Sequence, residues 1–184
     1  MKDLKELESL EKIRLQEIPK IAENCDILIY FGECWLSQGI QYFTDSPISH
    51  IGMYIDFYGI PSVMESDKDV HLIPLEKSIK QGGRIFLARN ADLTQEQKLK
   101  IITSGAFKFC DEYDWDSVTQ LAVNSTLPVA VFDHVEDEKY YCSEYFEYMY
   151  EKAGVKFKRD DNGYSLPRFI ALDKKVSAIC EVVL

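Results

Sequence analysis

Ile51, Met53, Ile55 and Phe57 alternate residue by residue with His50, Gly52, Tyr54, Asp56 and Tyr58. Successive side chains of a strand point to opposite faces, so this period of two specifies a β-strand with one apolar and one polar face. Tyr58–Gly59 ends it as a two-residue hairpin turn, and residues 61–67 are expected to return as its partner. With Phe57 facing Ile60, Gly52 lies opposite Glu65 and His50 opposite Asp67, both carboxylates on the face of His50. A slip of one residue would move them to the other face.

Around this hairpin the periodicity changes repeatedly. Residues 3–20 carry apolar positions at roughly helical spacing, with Pro19 at the exit. Ile27–Phe31 reads as a buried strand and residues 35–43 as a short helix. Short strands are expected at Val70–Ile73 and Arg84–Ala88. Thr94 with Gln97 forms a capping box that opens a helix reaching Cys110. Helices follow around Trp115–Val123 and over Cys142–Ala153, the latter stopped by Gly154, and Val176–Leu184 closes as a strand. Hairpin signals outnumber βαβ units, which makes this an α+β chain. At 184 residues it fits a single catalytic domain, with residues 1–22 as an N-terminal helical segment and 23–184 as the core.

Composition removes several function classes. A net charge of -10 without any basic run argues against a nucleic-acid partner. No apolar run is long enough for a membrane span, and the charged N-terminus lacks a secretory signal, so a cytoplasmic location is expected. The five cysteines are widely spaced, with no CxxC pair; free thiols in a reducing compartment fit better than disulfides or a cysteine-based zinc site. No metal or other cofactor is expected, and nothing in the chain fixes its oligomeric state.

One thiol stands apart. Cys142 begins a predicted helix, where unpaired N–H groups and the positive end of the dipole favour a thiolate and can hold an oxyanion. Cys110 falls at a helix end, and Cys25, Cys34 and Cys180 lack a comparable setting. Of the three histidines, His50 projects from the polar face of the clearest strand, while His71 reads as an exposed polar position and His134 as a solvated loop residue. A catalytic imidazole needs a third group to fix its tautomer. Glu65 is the preferred candidate and Asp67 the substitute.

The order TDSPISHIGMYI, VMES, EYDWD, YYCSEYF resembles the circularly permuted NlpC-type cysteine peptidases, the YiiX/YebB-like group, from about Cys25 to the final strand. In that group the histidine strand precedes the cysteine helix. The resemblance implies a papain-like α+β fold, an antiparallel sheet or half-barrel packed against helices. It also implies Cys142 as nucleophile, His50 as base and Glu65 as the polar third member. Tyr113 matches a tyrosine that lines the cleft in similar proteins, and Tyr141 and Ser49, beside the dyad, complete the expected substrate-binding set. The group carries Gly-Asp at its first strand where this chain has Cys25–Asp26, so a turn served by glycine is here made by cysteine.

The expected activity is a thiol peptidase or amidase acting on small peptides such as cell-wall fragments. The same dyad would also serve a lipid acyltransferase or thioesterase, and a ligand-binding relative without turnover is the third reading.

Overall fold

The computed structural model of the chain describes residues 4–79, 83–127, 129–135 and 137–184. Its strands are β1 (Lys12–Arg14), β2 (Ile27–Phe31), β3 (His50–Phe57), β4 (Ile60–Ser66), β5 (Val70–Pro74), β6 (Arg84–Asn90) and β7 (Val176–Val183). Its α-helices are α1 (Trp35–Thr44), α2 (Leu75–Ile79), α3 (Gln95–Ala106), α4 (Trp115–Thr126), α5 (Cys142–Lys152) and α6 (Pro167–Ala171). The seven strands form one sheet in the order β1-β7-β6-β2-β3-β4-β5, antiparallel except for the β1–β7 pair. None of its described helices is long and apolar enough to cross a membrane.

The β3–β4 hairpin has the expected register, with Phe57 paired to Ile60 and Met53 to Met64. Tyr58 and Gly59 both take positive φ, 53° and 82°, the backbone a two-residue type I′ turn requires. The capping box on α3 is complete: Gln97 N–H donates to Thr94 Oγ1, and Thr94 N–H to Gln97 Oε1.

Three expectations are corrected. The polar face of β3 is not a solvent face. Tyr54 packs there with Leu28, Tyr30, Val63, Leu75 and Leu87 in a second apolar cluster, because α2 and the 3-10 turn Leu15–Lys20 cover that side. The opposite face carries Ile51, Met53 and Ile55 against Tyr145, Phe146, Met149 and Tyr150 of α5. Residues 3–20 do not form one helix: two 3-10 turns, Leu4–Ser9 and Leu15–Lys20, flank β1. Ile13 is there used as a strand residue, paired with Val182, and a sheet edge supplies hydrogen bonds that a short isolated helix cannot retain. Lastly, α3 stops at Ala106, and Cys110 lies beyond it with φ 74°.

Cys25 takes φ 72°, a left-handed conformation that favours glycine, so the cysteine does occupy a glycine-type turn. Asp26 beside it is 1% exposed. Arg89 holds it through Nε to Oδ1 and Nη2 to Oδ2, both at 2.7 Å, while its Nη1 reaches Glu23 at 2.6 Å. This fork ties the entry of β2 to β6. Removing the cation leaves a buried carboxylate uncompensated, so Arg89→Met is expected to lower stability by about 3 kcal/mol. A urea titration checks this, the midpoint falling at unchanged slope.

Candidate active site

Two elements from distant parts of the chain deliver the reactive groups. His50 is the first residue of β3, and Cys142 is the first residue of α5, whose apolar side packs on β3. The approach to Cys142 is pinned by the strand that carries Glu65: Ser66 donates to the Tyr140 carbonyl at 2.6 Å. On the far side, Ser143 Oγ donates to the Ser165 carbonyl and Ser165 Oγ to the Ser143 carbonyl.

The Cys142 thiol and the His50 ring face each other closely enough for each to favour the other's charge, and the N–H groups of Ile51 and Ser143 favour the thiolate. The other side of the ring meets Glu65, with Nε2 2.8 Å from Oε2. A carboxylate can only accept, so Nε2 carries the proton it donates and Nδ1 is the nitrogen left for the sulfur. Ser78 of α2 donates to the same Oε2 at 3.1 Å, which makes Tyr30 the donor to Ser78 across 2.6 Å. Tyr30 also packs edge-on to the His50 ring at 5.0 Å between centroids.

Glycine at position 52 gives this carboxylate its room. A Cβ there would sit 2.7 Å from Val63 Cγ1 and 3.4 Å from Glu65 Oε2.

Electrostatics follow the geometry. Burial alone would push the Cys142 thiol up, but the bond and charge of His50, with the two N–H groups, bring it below its ordinary value. Burial works against a charged His50, yet its bond and charge with Cys142, and those with Glu65, raise it to about 10. Glu65, 1% exposed, resists the upward push of burial and is held at about 2, chiefly by its bond to His50 and by the His71 ring that it faces. These shifts favour a thiolate–imidazolium pair backed by a carboxylate. The two other buried thiols behave oppositely: burial drives Cys25 to about 12 and Cys180 to about 11.

Of the two carboxylates, only Glu65 reaches His50. The β3–β4 pairing ends at Met53 and Met64, beyond which His50 pairs with Tyr30 of β2 and Glu65 with His71 of β5. Asp67 is thereby displaced from its expected place opposite His50. It lies instead 3.6 Å from His71 Nδ1 and lines the open groove.

Two spaces adjoin the sulfur. A groove of about 440 Å³ runs past His50, Cys34, Asp67, Lys68 and Trp115. A second cavity of about 30 Å³, apolar and narrow, lies among Ile40, Phe43, Val118, Leu121, Leu166 and Pro167. Ser49, Tyr113 and Tyr141 all line this cavity, but their polar atoms differ in availability. The Ser49 hydroxyl is committed to backbone, accepting from Gly32 N–H and donating to the Tyr30 carbonyl. The Tyr141 hydroxyl accepts from Ser165 N–H at 2.9 Å. Tyr113 lines both spaces, its phenol pushed well up, first by burial and then by the Cys142 charge.

Several participants escaped the sequence reading. Ser78 and Tyr30 carry no motif. Cys34, unlike the setting expected for it, is exposed and caps α1, its sulfur accepting from Ser37 N–H. His71 is no plain exposed residue. Its Nδ1 lies 2.8 Å from Asp69 Oδ1, and its Nε2 faces Glu65 Oε1 at 3.7 Å. Glu65, Asp67 and His71 bring three ligand-type atoms within 4.8 Å of one another, a donor set that can hold a divalent cation although the sequence pointed to no metal. His134 is not solvated. Its side chain is 2% exposed, stacks on Tyr164 and meets Glu144 at 2.7 Å, and burial, with the charge of Asp114, pushes that carboxyl up to about 8.

No family model and no curated protein matches the sequence. Among solved structures, the chain is similar to one described as metalloprotein YiiX from Escherichia coli O157:H7 (DUF1105), with a TM-score of 0.69 and 19% identity. The match covers 86% of this chain and 97% of that one. The fold is thus YiiX-like, the group that the sequence motifs resemble.

Because the Cys142 thiol is brought below its ordinary value while two other cysteines are exposed, reactivity should run against accessibility. Brief treatment with a small alkylating agent at about pH 6 is expected to modify Cys142 first, as low-pKa thiols react in their ionised form. Peptide mapping reads this, and earlier modification of Cys34 or Cys110 would remove the assignment.

Proposed function

Taking the YiiX-like fold as the frame, we propose that this chain is a cysteine hydrolase of amide bonds. Cys142 is the nucleophile, His50 the acid–base and Glu65 the group that orients and charges the imidazole. The observation that carries the reading is the continuous line from the helix-end sulfur through His50 to a buried carboxylate 2.8 Å from the ring.

The chemistry runs in two halves. The thiol proton resides on His50 Nδ1, and the sulfur attacks the amide carbon, placing charge on the carbonyl oxygen. N–H groups of the first turn of α5 stabilise that oxyanion. His50 then gives its proton to the leaving nitrogen, the C–N bond breaks and an acyl-thioester remains on Cys142. Water, losing a proton to His50, attacks this thioester and releases the acid and the free thiol. In this reading the fold is a circularly permuted papain-like one, since the histidine strand comes before the cysteine helix.

The size of the apolar cavity favours small peptides over lipids. About 30 Å³ is little more than the space of one or two waters. It takes a small aliphatic side chain next to the scissile carbonyl but no long acyl tail. The open groove accommodates the rest of a short peptide. The description of the neighbouring structure as a metalloprotein bears on this chain at Glu65, Asp67 and His71, whose donors fit a cation, and no step above uses one.

Cys142→Ala is expected to lower turnover of a short peptide substrate on the order of 10⁴-fold or more while leaving the unfolding midpoint near wild type. Activity close to wild type would end the proposal.

The pH dependence has a defined sign. The active form needs Cys142 deprotonated and His50 protonated. Activity should rise through an acid limb below the ~8.5 of a free thiol and fall as His50 loses its proton near pH 10. Glu65→Gln removes the charge that stabilises the imidazolium, so its alkaline limb should move to lower pH. A profile of kcat/KM against pH for both proteins reads the two limbs.

A further inference from the structure

The two oxygens of Glu65 are treated very differently. Oε2 accepts from His50 and from Ser78. Oε1 is buried and has no hydrogen-bond partner among the described residues, although the residue as a whole is 1% exposed. It faces His71 Nε2 across 3.7 Å, too far for a hydrogen bond. His71 lies directly across the β4–β5 ladder from Glu65. Its other nitrogen is engaged by Asp69 Oδ1 at 2.8 Å, the carboxylate–histidine arrangement that orients a metal-binding imidazole and leaves the far nitrogen as ligand. Asp67, in the turn between the strands, has its Oδ1 3.6 Å from His71 Nδ1 and offers a third donor, one atom of each of the three residues lying within 4.8 Å of the others.

We propose that Glu65 Oε1, His71 Nε2 and Asp67 form a site for a divalent transition-metal ion. Two ligands of a tetrahedral zinc at 2.0–2.2 Å lie about 3.4 Å apart, so the 3.7 Å gap closes with a movement of roughly 0.3 Å. One imidazole with two carboxylates suits zinc and its neighbours better than a hard cation such as calcium, which takes six or more oxygens. Asp67 lines the groove that also reaches Cys142 and His50, so an ion can enter from the substrate side.

Glu65 is shared with the proposed hydrolase site, Oε2 serving His50 and Oε1 the ion, but the binding does not rest on that reading.

The test uses the full chain stripped with chelator. Calorimetric titration with zinc is expected to give one equivalent bound. His71→Asn and Asp67→Asn should each weaken it by about tenfold or more, while Cys142→Ser should leave it unchanged. Cobalt in place of zinc should give a spectrum without a thiolate charge-transfer band. No binding, equal affinity in both site variants, or loss of binding in Cys142→Ser would overturn the site. In that case His71 alone balances the bare oxygen, or thiols take the metal. Because binding is read without turnover, an inactive enzyme would end the hydrolase reading and leave the metal result standing.

Discussion

Glu65 is the fixed point of this molecule. A carboxylate taken out of water costs several kcal/mol unless partners replace its hydration, and here the replacement comes from three separate elements. His50 stands at the start of β3, Ser78 on α2 and His71 on β5. The charge is therefore tolerable only when the hairpin register, the placement of α2 against the sheet and the turn at Asp67–Asp69 are all correct. Glycine at position 52 belongs to the same constraint, because a side chain there would meet Val63 and crowd the carboxylate. Fold and reactive site are specified together.

The parts legible in the sequence are those fixed by local rules. Strict alternation with Tyr58–Gly59 set the β3–β4 register, which put Glu65 on the face of His50 and left the choice between it and Asp67 to the far end of the ladder. That end escaped local reading, because pairing of β3 passes from β4 to β2 before His50 is reached. Likewise, polar letters on β3 suggested a wet face. Yet Gly52 and Tyr54 pack beneath α2 and the Leu15–Lys20 turn, and coverage by remote elements leaves no periodic mark. Ser78, Tyr30 and the buried His134–Glu144 pair were invisible for a similar reason: a lone serine or histidine reads the same whether it is solvated or enclosed.

Cys25 illustrates how a resemblance can hold in backbone while differing in letter. Its positive φ reproduces a glycine-type turn, and its side chain is buried, the sulfur 3.6 Å from the Lys98 carbonyl. Burial of a small polarizable side chain offsets a left-handed backbone there. The Arg89 fork on the adjacent Asp26 holds the segment whatever the turn residue prefers.

Three residues of β1 run parallel along β7, pairing Lys12 with Glu181, Ile13 with Val182 and Arg14 with Val183. Without that short ribbon, the closing strand would be the outermost one, offering a row of unused N–H and C=O groups beside apolar Val182 and Val183. Such a margin is a template for pairing with a second molecule. Lys12–Arg14 thus act as a selvedge that finishes the sheet, and losing them would invite self-association without touching the Cys142, His50 and Glu65 side chains.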